Sequence, residues 1–170
     1  MLTPTIASAL EYCVHSMKDC KLRKDGTIAF YHPIRVASTL AKYGCDDETI
    51  IVGLLHDLIE DTEVTADEIS ERFSMPIADL VVALSHELDE KVQVTIDRVR
   101  QGGMKAIMVK LADNTDNIRT IEFFKPEKRK AYLHYAMMTQ KLGEEMLGSL
   151  HPLVALHLAG LEDATKKISK

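Results

Sequence analysis

Tryptophan is missing from this chain and the other aromatics are scarce, with four Phe and five Tyr in 170 residues. Beside plentiful Leu, Ala, Ile, Met, Glu and Lys, that scarcity favours helices over sheets. Cysteine is too sparse for a disulfide framework or a zinc ribbon. Cys13, Cys20 and Cys45 are odd in number and lack close pairing, so reduced thiols are expected. Positive charge is not in surplus either. Lys and Arg total 21 against 26 Asp and Glu, a net −5, which excludes a global attraction to nucleic acid or an anionic membrane. The chain has no uncharged apolar run long enough to span a bilayer. Its opening, Met1-Leu2-Thr3-Pro4, has no basic region, and Glu11 soon interrupts the apolar pattern, so no secretion signal is expected. These absences point to a soluble, cytoplasmic protein.

What is present is frequent helix punctuation. Thr3-Pro4 can open a first helix to about Lys18, followed by a polar loop from Asp19 to Phe30. His32-Pro33 opens a second, which Gly44 can close as a left-handed cap. Asp46-Asp47-Glu48 supplies the negative charge that favours a helix start, and that third helix is expected to reach about Asp61. Thr65 to Glu68 is a capping box for a short helix ending near Phe73. Pro76 starts another to about His86, and residues 91–101 form one stopped by Gly102-Gly103. Long helices follow from Met104 to about Phe123 and from Pro126 to about Leu147, and Pro152 opens the last. All breaks are short, and no linker, repeat or strand alternation intervenes. The expectation is an all-α fold, a single domain over residues 1–170 built as an irregular bundle of eight or nine helices.

The stretch ETIIVGLLHDLIEDT, residues 48–62, carries most of the chemistry. Its first half is apolar almost all round, as in a buried helix. On a continuous helix His56, Asp57, Glu60 and Asp61 share one arc, and Gly53 lies a turn earlier, leaving space beside them. Carboxylates and an imidazole at a core helix would cost several kcal/mol each if unpaired, and a divalent cation removes that cost. The alternative is a wet face with ordinary acids at a helix end, although acids there oppose the macrodipole.

Two other segments read weakly alone. In Lys110-Leu111-Ala112-Asp113-Asn114-Thr115-Asp116-Asn117, Asp113 and Asn117 share a helix face with Lys110 beside them, which equally suits an amphipathic stripe. His32 stands just at a helix start, where a lone histidine is usually a cap. Together, two imidazoles and two carboxylates from three helices make a mixed nitrogen and oxygen set, suited to Mn, Fe or Co. Four protein ligands on a six-coordinate ion leave positions for water and a phosphate oxygen, as metal-assisted hydrolysis requires. Of the basic clusters KLRKDG (21–26) and KPEKRK (125–130), the second fits a solvated turn better. His15, His86, His134, His151 and His157 have no partner pattern and read as surface or satisfied helix histidines. The Met residues read as core filler, Gly102-Gly103 as a helix stop, and no nucleophile elbow supports Ser-His-Asp catalysis.

His32, the His56-Asp57 doublet and Asp113 reproduce the H…HD…D signature of the HD superfamily. The segments YHPIRVASTLAKYG, GLLHDLIEDTEVTADEISERF and VKLADNTDNIRT resemble the hydrolase domain of RelA/SpoT enzymes and stand-alone small alarmone hydrolases, over roughly Thr3 to Gly148. The small, hydrolase-only form is the closer likeness. The resemblance implies one manganese ion held by His32, His56, Asp57 and Asp113, with Glu60 and Asp61 as the catalytic acidic pair. It implies that Arg23 stacks on a base, Lys24 contacts phosphate, and Asn117 contacts the ribose or 3′ phosphate region, with Tyr132 a further phosphate contact. The implied reaction removes the 3′-pyrophosphate of ppGpp-like nucleotides through attack of activated water on the phosphorus attached to the ribose 3′ oxygen. The implied partner is a nucleotide, not nucleic acid or membrane; a homodimer is left open. Departures from the family's pattern stand at Gly26-Thr27-Ile28-Ala29-Phe30, in place of Gly-x-Pro-Tyr, and at Asn114-Thr115-Asp116-Asn117, in place of Arg-Leu-His-Asn. Both bear on base preference. Rival readings are an HD phosphohydrolase acting on another nucleotide, and a catalytically silent nucleotide-binding homologue.

Overall fold

A computed structural model describes residues 5–86 and 90–168, and these contain helices and turns with no strand. Ten α-helical segments occur among them: α1 Ile6–Met17, α2 Tyr31–Lys42, α3 Asp47–Leu55, α4 Leu58–Asp61, α5 Ala66–Arg72, α6 Met75–Leu84, α7 Val92–Gln101, α8 Gly103–Arg119, α9 Pro126–Leu147 and α10 Pro152–Ile168. The all-α expectation holds.

Side chains cap the starts of α1, α3, α5 and α6. Thr5 caps α1 in a capping box with Ser8; the expected start at Thr3-Pro4 falls outside the described residues. Asp46 caps α3 by accepting the Thr49 amide at 2.9 Å, and Thr65 and Glu68 form the expected box on α5. Gly44 follows α2 at φ +75°, the left-handed stop anticipated for it. The long helix ends earlier than expected, at Arg119. Thr120 there accepts no further helical turn, and a 3₁₀ turn over Ile121–Phe123 leads into α9.

The third helix departs from expectation more usefully. It does not run to Asp61 but breaks at His56-Asp57. The Gly53 carbonyl, which the Asp57 amide would use in an unbroken helix, takes His56 Nδ1–H at 2.9 Å. The backbone then turns at Asp57, with φ −92° and ψ −5°. In a straight helix two successive side chains diverge by about a hundred degrees; here the turn lets both face the same point.

Helix α8 is the spine, packed against α2, α9 and α10, and more lightly against α3, α6 and α7. Its apolar side buries Ile107 and Leu111 with Leu40, Leu55, Leu58, Ile69 and Leu84 in the main core. A second cluster of Ile118, Ile121, Phe124 and Leu161 seals its C-terminal end against α9 and α10. Helix α3 crosses α2 closely because Gly53 has no side chain. A Cβ there would sit 2.6 Å from Leu40 Cδ1 and 3.6 Å from Ala37 Cα. Gly53 therefore makes room for a neighbouring helix, not for the polar cluster.

Candidate metal centre

Where α2, α3 and α8 meet, the packing brings three separated segments together. His32 from the start of α2, His56 after α3 and Asp113 in α8 are 1%, 2% and 5% exposed, too dry for such groups to stand without partners. One donor atom from each lies within 4.8 Å of the others, the only such trio of His, Cys, Asp or Glu among the described residues. His32 Nε2 is 3.1 Å from Asp113 Oδ1. Asp57, the product of the turn, joins them: its Oδ1 is 3.0 Å from His56 Nε2 and its Oδ2 is 3.5 Å from His32 Nε2.

His56 Nε2 decides whether a cation suits this place. With Nδ1–H given to Gly53, that nitrogen is buried and has no hydrogen-bond partner, since its approach to Asp57 lacks hydrogen-bond geometry. A buried imidazole nitrogen without a hydrogen bond, beside two carboxylates, is a cost that a divalent ion turns into a bond. The donor set of nitrogen and oxygen fits a first-row divalent metal.

The electrostatics agree. Burial disfavours charge on His32, but Asp113 and Asp116 outweigh it and raise the imidazole to about 9. His56 is also raised, against burial, by Asp57 and Asp113. Burial works against ionised Asp113 too, yet Lys110 and the two imidazoles hold it well below the usual carboxylate range. Asp57 is lowered in the same way, chiefly by His56 and His32. Protons here stand in for a cation, and a metal would have to displace them.

A cleft of about 820 Å³ opens beside the cluster, and its lining includes His32, Asp57, Glu60, Asp61, Asp113, Asn117, Arg23, Lys24 and Tyr132. All expected site residues except the deeply seated His56 thus line one cavity. Glu60 faces the solvent in that cleft, with its Oε1 accepting the His86 amide at 2.8 Å. Crowding by protein and the Asp57 charge push it up to about 7. Asp61 is raised by the same two causes. Arg23 and Lys24 ride a tight turn in which Asp25 accepts the Thr27 amide at 3.0 Å and its hydroxyl at 2.7 Å. Arg23 Nη2 donates to Asn117, whose Nδ2 donates to Asp113 Oδ1 at 2.6 Å. Lys24 Nζ lies 4.0 Å over the Phe124 ring. Tyr132 donates its hydroxyl to Asn114 at 2.8 Å, so only its oxygen lone pairs remain for a ligand.

Sequence reasoning missed several neighbours. Asp116 accepts from His32 Nδ1 at 2.7 Å and from Arg35 through both oxygens, at 2.7 and 2.9 Å. The signal was available: Arg35 follows His32 by three and Asp116 follows Asp113 by three, each on its partner's helix face. His86, read as a surface or satisfied helix histidine, is satisfied, but it stands in the cleft wall and not in a helix. Its Nδ1 meets Thr95 Oγ1 at 3.2 Å, and its Nε2 faces Lys110 Nζ and the Tyr135 hydroxyl at 3.3 Å each. Lys110, only 2% exposed, pairs with Asp113 Oδ2 at 3.0 Å. His86 lies just past α6 and shares no periodicity with the site, so nothing local announced it. His157 is half satisfied: Nδ1 meets Gln140 Oε1 at 2.8 Å, while the buried Nε2 has no hydrogen-bond partner. His15 and His134 are exposed, as read, and all three cysteines are free.

A helical domain that gathers His and Asp donors from separate helices at the floor of a polar cleft is a divalent-metal-binding domain. More particularly, the chain belongs to the HD-domain family, whose model matches residues 9–142. It is 37% identical over 133 residues to the guanosine-3′,5′-bis(diphosphate) 3′-pyrophosphohydrolase of Aquifex aeolicus, covering 71% of this chain and 19% of that one. It is 32% identical over 150 residues to the bifunctional (p)ppGpp synthase/hydrolase SpoT of Escherichia coli K12, covering 82% and 21%. The chain thus spans about a fifth of the length of these curated relatives. Its fold matches the solved structure of a metazoan SpoT ortholog that hydrolyses ppGpp, with a TM-score of 0.78, 21% identity and 98% of both chains covered. No helix among the described residues is long and apolar enough to cross a membrane.

Proposed function

We propose that residues 1–170 act as one HD-type hydrolase domain that uses a manganese ion to remove the 3′-pyrophosphate of ppGpp-like nucleotides, in the cytoplasm. His32, His56, Asp57 and Asp113 hold the ion. The observation that carries the reading is His56 Nε2, buried without a hydrogen bond between two carboxylates and adjoining a cleft large enough for a nucleotide. The activity printed for the relatives, pyrophosphate removal from the 3′ position, supplies the substrate class.

A bound divalent ion lowers the pKa of water and neutralises phosphate charge. An acidic chain needs that, because its net −5 repels a polyphosphate. The chain's own groups do the rest. Glu60, poised near neutrality, takes the proton from the attacking water, and Asp61 orients that water. A new P–O bond forms as the bond from phosphorus to the ribose 3′ oxygen breaks, and the 3′ oxygen takes up a proton. Arg23 stacks on the base, Lys24 meets phosphate, and Asn117, tied to both Arg23 and Asp113, holds the ribose side. Tyr132 is a further phosphate contact.

The test is to incubate the manganese-loaded chain with ppGpp, ppApp and a dinucleotide phosphate and identify the products. Pyrophosphate from the 3′-diphosphate nucleotides is expected. Orthophosphate alone would point to another HD phosphohydrolase, and retained binding without turnover to a silent homologue.

A further inference from the structure

We propose that Asp116 and Arg35 form an outer clamp on His32 that sets how tightly the centre binds its divalent cation. The proposal rests on the ligand assignment above and adds two residues to it that touch neither ion nor substrate.

The arrangement is two by two. His32 and Arg35 are three apart on α2, and Asp113 and Asp116 are three apart on α8. Across that contact, His32 Nε2 meets Asp113 while His32 Nδ1 meets Asp116 at 2.7 Å. Two carboxylates on one helix face therefore take the two nitrogens of one imidazole, one on the cleft side and one behind it. Asp116 is 5% exposed and Arg35 holds both of its oxygens. A fork of that geometry fixes the carboxylate plane. It also keeps Asp116 from swinging round to compete for the ion.

A plain staple between α2 and α8 would need only the arginine and the carboxylate. The third bond, to Nδ1, adds something a staple does not require. An imidazole that gives Nδ1–H to a carboxylate presents Nε2 in one orientation with greater electron density, and so donates more strongly to a metal. Arg35 acts through Asp116, and Asp116 acts through His32. Both are positioning residues.

The experiment is calorimetric titration of Mn²⁺ into the metal-stripped full chain, native and with Asp116→Asn, Arg35→Leu and both. Visible spectra of the Co²⁺-loaded forms accompany it. Asp116→Asn is expected to weaken Mn²⁺ binding roughly 10- to 100-fold and to alter the Co²⁺ bands. Arg35→Leu is expected to weaken binding by a smaller factor, and the double variant to match Asp116→Asn alone, because the arginine has no other route to the ion. Affinity unchanged in Asp116→Asn overturns the clamp, as does a lower metal-free melting temperature with affinity and spectrum intact. Should Asp116→Asn fail to fold, Arg35→Leu decides, since that side chain is partly exposed; native affinity there overturns the proposal. A native chain that binds no Mn²⁺ would instead overturn the ligand assignment itself.

Discussion

Glu60 and Asp61 are neighbours in sequence with different surroundings. Glu60 is fastened through Oε1 to the His86 amide and raised to about 7, whereas Asp61 stands beside it without such a tie. A group that titrates near neutrality can both accept and return a proton, which suits a water-activating role. Glu60→Gln keeps an oxygen acceptor for the His86 amide but removes the proton-accepting carboxylate. It is expected to retain metal while losing roughly 100- to 10,000-fold in kcat, measured by pyrophosphate release alongside metal content. A native rate would remove Glu60 from the reaction. The charged ends of the site were legible in the sequence because acids and imidazoles in an apolar helix demand an explanation. The outer groups were legible only as spacings, Arg35 three after His32 and Asp116 three after Asp113. The departure at Asn114 to Asn117 was taken to bear on base preference, yet Asp116 faces the back of His32; which of two helices a side chain meets is not encoded in the spacing along one.

At the level of the helix, the revealing feature is the break at His56-Asp57. Hydrophobic pattern alone continues through it, so the sequence reads as one helix to Asp61. The interruption comes from a side chain that claims a backbone carbonyl, a competition invisible to periodicity. Gly53 was misread for a related reason. Its missing side chain was assigned to the polar cluster, but the space it leaves is filled by Leu40 and Ala37 of α2. Gly53→Val would force its branches into Leu40, which is fully buried. A loss of about 1–3 kcal/mol is expected from such overpacking, read as a lower urea midpoint with unchanged m-value. Stability equal to the native chain would mean that α2 and α3 slide apart freely.

Across the whole molecule, α8 is both the centre of the core and a wall of the cleft, so folding and site assembly are one event. Helix α10 contributes to that event from the far side. Its His157 is wholly buried and pushed down to about 4 by desolvation. Above the unfolded value near 6.5 the imidazole is neutral in both states and has no effect on stability. Below it the unfolded chain takes a proton that the folded chain refuses, so stability falls as pH drops towards 4. This one group should remove roughly 2 kcal/mol between pH 7 and pH 5. Urea unfolding at both values, compared with His157→Leu, checks it: the variant should lose less on acidification, and an identical loss would exonerate His157. The bundle itself was foreseeable from punctuation alone, since Pro, Gly and capping residues mark nearly every end. How ten segments converge was not, because which helix lies against which depends on long-range packing.

Both imidazoles at the centre are moored by their rear nitrogens, one to the Gly53 carbonyl and one to Asp116. Their forward nitrogens are consequently aimed before any ion arrives, and neither ring can pivot to suit a larger guest. Calcium prefers six to eight oxygens in a pliant ring. This cradle offers stiffness and nitrogen instead, so the metal-stripped chain is expected to take up Mn²⁺ well ahead of Ca²⁺ in a competitive titration.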